Sequence, residues 1–102
     1  MPKLERIGNS NNEIIGYVFY CPGCKNYHEV AIAPNKNSKG ASWTFNGSED
    51  KPTFSPSILS KIEFTDRPTQ ICHSFVTDGE IKYLPDCTHN LTGKTVELPD
   101  VE

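Results

Sequence analysis

Ile71-Cys-His-Ser-Phe-Val-Thr-Asp-Gly-Glu-Ile-Lys-Tyr-Leu84 is the stretch that decides the fold. Two runs rich in β-branched and aromatic residues flank Asp78-Gly79. That pair suits a two-residue type I′ turn, in which both central residues need positive φ. The reading predicts a hairpin in which Thr77 pairs with Glu80, Phe75 with Lys82 and His73 with Leu84. Strand side chains alternate between faces. Cys72 therefore faces Pro85, and Cys87 lies one step beyond on the same side. His73, Phe75, Leu84 and Asp86 share the opposite side.

Upstream, Ile14 to Tyr20 is again β-branched and aromatic and reads as a strand. It ends at the tight turn Cys21-Pro-Gly-Cys24, and His28 to Ala33 returns as a second strand, so residues 14–33 are predicted as a hairpin with two thiols at its tip. Pro34 to Gly40 reads as a polar loop. Ala41 to Phe45 reads as a short strand closed by Asn46-Gly47. In Lys51-Pro-Thr-Phe-Ser-Pro-Ser-Ile-Leu59 each residue before a proline is pushed to extended geometry, which predicts an ordered extended segment entering a strand near Ile58. Residues 63–70 read as a loop, Thr88–Leu91 as a single turn and Thr95–Leu98 as an edge strand. No window carries a helical period. The predicted fold is mainly β, a small zinc-stabilised antiparallel domain with little helix. It is read as one domain over residues 1–102, with 1–12 and 99–102 as flexible tails.

Only 35% of the residues are apolar, and 8 Pro and 7 Gly interrupt the chain. A core this thin needs a staple, and four cysteines are available. The start, Met1 to Arg6, has no apolar segment, and no run approaches the roughly 20 residues of a membrane span. The expectation is a cytoplasmic chain without a membrane, where thiols stay reduced and cysteines read as metal ligands. The net charge is −3 and no basic stripe is present, which argues against nucleic acid as a partner.

Cys21 and Cys24 form a knuckle, half of a tetrahedral zinc site. Hairpin parity nominates Cys72 and Cys87 for the other half. The metal ligands are thus read as Cys21, Cys24, Cys72 and Cys87 around Zn²⁺, with His89 as the main rival for the fourth place and His28 next. Two competing readings are scattered buried thiols and a redox pair. The latter would want its first cysteine at a helix N-terminus, whereas strands flank this motif.

On the other side of the hairpin, Asp86 is the diagonal neighbour of His73 at about 7–8 Å by backbone spacing. This is the base and orienter of a Ser-His-Asp arrangement. The proline-rich segment offers the nucleophile, with Ser57 first and Ser55 second. The competing reading makes His73 and Asp86 a structural pair or an outer support for the metal, and treats serine beside proline as turn chemistry.

Five motifs then carry a resemblance. Cys21-Pro-Gly-Cys24 with His28, Trp43-Thr-Phe-Asn-Gly47, Lys51 to Ser57, Cys72 to Gly79 and Asp86-Cys-Thr-His89 resemble a family of short phage and prophage proteins, from about residue 17 to residue 99. More distantly, the stretch ending at Ser57 and the pair Cys72-His73 are similar to predicted peptidases of bacterial ubiquitin-like conjugation operons. That resemblance implies Ser57 as nucleophile and His73 as base, in the cytoplasm of a bacterial host cell. The leading expectation is a zinc-binding serine peptidase or isopeptidase acting on a ubiquitin-like conjugate or other host protein through Ser57, His73 and Asp86. The alternative is a non-catalytic zinc module that binds a protein partner, such as a component of a host defence system, through exposed Trp43, Phe45 and Phe54. A third reading is a nucleic-acid-binding zinc ribbon.

Overall fold

Asp78 and Gly79 both take positive φ, 51° and 82°, in the computed structural model, which describes residues 2–101. Around that turn β6 (Gln70–Thr77) and β7 (Glu80–Tyr83) pair antiparallel, with Thr77 opposite Glu80 and Phe75 opposite Lys82. Leu84 donates its amide to the His73 carbonyl at 2.9 Å. The predicted register therefore holds. Gly79 also packs against Asp50 and Lys51, where a Cβ would crowd backbone at 3.2–3.3 Å, so this position demands glycine twice over.

Two antiparallel sheets result. One has the order β1-β2-β3, from β1 (Glu5–Gly8), β2 (Ile14–Cys21) and β3 (Asn26–Ala31). The other runs β4-β5-β6-β7-β8 and adds β4 (Thr44–Phe45), β5 (Phe54–Ile62) and β8 (Thr95–Glu97). The architecture is all-β, and no helix occurs among the described residues. No helix is long and apolar enough to cross a membrane.

Three differences from the sequence reading stand out. Residues 5–8, expected in a flexible tail, form β1, because Glu5 to Ile7 pair with Val18 to Gly16. At the other end Val101 donates to the Pro2 carbonyl at 3.1 Å, so the two ends meet; Met1 and Glu102 of the expected tails lie outside the described residues. The third difference concerns Trp43, Phe45 and Phe54, expected to be exposed anchors. Phe54 is 2% and Trp43 9% exposed, and Phe45 is half-buried. Tyr17, Phe45, Phe54 and Phe19 form a row with centroid spacings of 4.7, 5.2 and 6.4 Å. That row joins the two sheets, so these aromatics contribute burial to the core and are not free for a partner.

Candidate active site and metal centre

β5 carries an irregularity that aims one side chain. Phe54 lies opposite Val76 and Ile58 opposite Ser74, so Ser55, Pro56 and Ser57 together face the single residue Phe75. Extra residues on one strand form a bulge, which re-aims side chains locally. Phe54 and Ile58 both stay buried in the core. Ser57 is thereby turned towards His73, which lies opposite Leu59 on β6. The Trp43 indole N–H donates to the Ser57 carbonyl at 3.2 Å and holds the bulge from its outer side.

Ser57 Oγ lies 3.0 Å from His73 Nε2, and His73 Nδ1 lies 3.1 Å from Asp86 Oδ2. The three groups form one continuous hydrogen-bonded line, with the imidazole between hydroxyl and carboxylate. The side chains of His73 and Asp86 are 27% and 53% exposed, so this end of the line is open to solvent. Ser55, the second choice from sequence, is exposed; the serine hydroxyl bonded to His73 is that of Ser57, and the Ser55 carbonyl accepts the Thr44 hydroxyl at 3.3 Å.

On the core side of the hairpin, Cys21, Cys24, Cys72 and His89 gather with their ligand atoms all within 4.8 Å of one another, a group that could hold a metal ion. The Cys21 and Cys72 sulfurs are 3.8 Å apart, and His89 Nε2 is 3.4 Å from the Cys72 sulfur. The Cys24 amide donates to the Cys21 sulfur at 3.4 Å, as a knuckle turn should. Hydrogen bonds from Cys24 and then Cys72 hold the Cys21 thiol far below its ordinary range. The same contacts raise Cys24 to about 11 and push Cys72 upwards, with the bond to Cys21 as the largest cause. One thiolate here shares its neighbours' protons.

Cys87 does not join this group, and His89 stands in its place. The physical reason is that the β6–β7 ladder ends at the Leu84–His73 hydrogen bond, so strand alternation no longer fixes which side Cys87 takes. The chain instead closes a turn in which the Cys87 amide donates to the Leu84 carbonyl at 3.1 Å. Thr88 then takes the position beside Ile71, with its amide donating to the Ile71 carbonyl at 2.9 Å, and His89 reaches Cys72. The Cys87 sulfur accepts the His73 amide and donates to the His73 carbonyl, each at 3.2 Å. His28 is not one of the four but lies beside them, helping to hold the Cys21 thiol low; its ring packs on Phe19 at 5.5 Å and its Nε2 is buried without a hydrogen-bond partner.

Two further residues shape the centre without a ligand atom of their own. Tyr83 is 1% exposed; its hydroxyl accepts the Gly23 amide at 3.0 Å and lies 3.2 Å from the Cys21 sulfur. Burial raises the phenol's pKa, so it stays protonated and donates to the thiolate. Its ring meets the His89 edge at 4.5 Å. Gly23 is the second, since a Cβ there would collide with the His89 imidazole. Inward parity on β7 was the available signal for Tyr83, and a knuckle glycine next to a proline was the signal for Gly23.

A protein-family model described as BubE, the bacterial ubiquitination-like system serine protease, matches residues 4–84. The chain belongs to this family. The BubE match takes in Ser57, His73 and three of the clustered cysteines, while Asp86, Cys87 and His89 follow its end. Membership implies a protease-like role in a bacterial ubiquitination-like system. Searches of curated proteins and of solved structures returned no match.

Proposed function

We propose that the chain is a serine hydrolase that cleaves a polypeptide acyl bond, as a peptidase or isopeptidase acting on a ubiquitin-like conjugate. The carrying observation is the unbroken line from Asp86 through His73 to Ser57, at 3.1 and 3.0 Å. Ser57 Oγ attacks the acyl carbon as His73 Nε2 takes its proton. Asp86, on Nδ1, fixes the tautomer and steadies the imidazolium. His73 then returns the proton to the leaving amine or alkoxide. A water molecule, deprotonated by the same imidazole, frees the acyl group and restores Ser57.

The metal in this proposal is zinc. Tetrahedral zinc–sulfur bonds of about 2.3 Å place ligand sulfurs about 3.8 Å apart, and Cys21 and Cys72 stand at 3.8 Å. Three thiols and one imidazole suit zinc by ligand type. Four protein ligands fill its shell, so zinc would tie the loop tip at residues 21–24 to the end of the β6–β7 hairpin and leave the reaction to the opposite face. A phage-type origin and a working place in the bacterial cytoplasm belong to the same proposal.

The test is a Ser57→Ala variant assayed on a ubiquitin-like conjugate, with metal content measured in parallel. Hydrolysis is expected to fall by about 10³-fold or more, with metal content unchanged. Undiminished hydrolysis would overturn the nucleophile assignment. Loss of metal together with activity would make Ser57 a structural residue.

A further inference from the structure

β5 has an open edge that begins at the nucleophile. β4 covers it only at Phe54 and Ser55, where Phe45 and Thr44 pair with them. The chain that would continue that cover leaves for the other sheet: the Trp43 amide donates to the Ala31 carbonyl at 2.8 Å, and the Ala33 amide donates to the Trp43 carbonyl at 3.0 Å. Past Pro56, then, the outer side of β5 carries among the described residues only the Trp43 indole on the Ser57 carbonyl.

The direction of the backbone groups beyond Ser57 follows from β6. The His73 carbonyl and amide are engaged by Leu84 and Cys87, and the Ile71 carbonyl and amide by Thr88. Both residues thus point their peptide groups away from β5. In an antiparallel ladder, directly opposed residues either exchange both hydrogen bonds or exchange none. Leu59 faces His73 and Lys61 faces Ile71, so Leu59 and Lys61 direct their N–H and C=O groups outwards. Among the described residues no hydrogen bond engages these groups. Their side chains stand in solvent, Leu59 being 58% exposed.

We infer that the acyl side of the substrate binds here as an added strand, an extended polypeptide hydrogen-bonded to the outer peptide groups of Leu59 and Lys61. This rests on the serine hydrolase reading and supplies its substrate geometry. In a peptide, isopeptide or ester substrate the leaving group varies, but the acyl side is always a polypeptide chain. An unpaired edge with donors and acceptors at every second residue is what an extended chain matches. It runs directly from Ser57, so a strand seated on it delivers its terminal carbonyl to the hydroxyl. Leu59 offers an apolar neighbour for one substrate side chain on the exposed face, while Lys61 discourages unspecific edge pairing.

The experiment measures the rate of covalent labelling of Ser57 in the full chain by two probes with one warhead. The first is an acetylated tetrapeptide whose last residue is the diphenyl phosphonate analogue of glycine, and the second is that acetylated residue alone. The tetrapeptide is expected to label about tenfold faster or more, as one or two added hydrogen bonds in a partly desolvated groove would give. Methylating its backbone amides one at a time should slow labelling at alternate positions only. Leu59→Pro, which deletes an outward donor at an edge position that tolerates proline, should shrink the tetrapeptide's advantage over the short probe on that same variant. Equal rates for the two probes on the wild-type chain, or slowing that ignores position, would overturn the added strand while leaving Ser57 as nucleophile. Failure of both probes to label Ser57 would remove the serine reading and this inference together.

Discussion

The sulfur of Cys87 lies 3.2 Å from both the amide nitrogen and the carbonyl oxygen of His73. A buried thiol thus clamps the backbone of the residue whose ring bridges Ser57 and Asp86. The turn that brings Cys87 there also carries Asp86, so one short segment supports the imidazole through both its backbone and its ring.

Cys87→Ala should lower kcat several-fold with little change in KM, because it leaves the His73 amide without a partner at a cost of about 1–3 kcal/mol. Cys87→Ser, which keeps a donor and an acceptor, should recover most of that loss. Metal content should stay at the wild-type level in both, since Cys87 lies outside the ligand group. Steady-state kinetics with elemental analysis would decide; loss of metal in Cys87→Ala would restore that residue as a ligand.

Trp43→Phe should keep the apolar packing and delete the N–H donated to the Ser57 carbonyl. Stability is expected to fall by about 1 kcal/mol, read from urea unfolding. Phosphonate labelling of Ser57 should slow more than that change in folded population accounts for, as the bulge loosens. An unchanged labelling rate would show that the bulge holds itself.

Gly23→Ala should weaken metal binding by at least tenfold in a chelator competition, since the new methyl group occupies the space of the His89 ring. Adding His89→Ala to Gly23→Ala should cost little beyond either single change, because both act on one ligand. Full metal affinity in Gly23→Ala would mean that His89 is dispensable.

Metal binding should release about two protons per ion near pH 7.5, because ligand thiols must be deprotonated. Cys21 is already held low, whereas Cys24 and Cys72 are held high by the same contacts. Affinity should accordingly rise with pH by about two log units per unit, and acid should expel the metal. Calorimetry in buffers of different ionisation enthalpy counts the protons. A count near zero would mean that the thiols enter the site already ionised.

Much of this was legible in the residues, and the misses have identifiable causes. Asp78-Gly79 set the hairpin register, and alternation along β6 sent Cys72 inwards and His73 outwards. Cys21-Pro-Gly-Cys24 announced its own turn. By contrast, β1 has only four residues, Glu5–Gly8, too few for a pattern to rise above its polar surroundings. Trp43 and Phe54 looked available to a partner because sequence does not say which aromatics meet across two sheets.

The sequence by itself determined the β class, the knuckle and the two faces of the hairpin, because turn chemistry and a period of two act over neighbouring residues. Tertiary structure alone decided that His89 rather than Cys87 completes the cluster, that Cys87 clamps His73, and that a bulge places Ser57 at 3.0 Å from the imidazole. Those outcomes depend on where the turn after Leu84 sends the chain and on how the aromatic row seats one sheet against the other. They are relations between segments far apart in the chain, which no local pattern encodes.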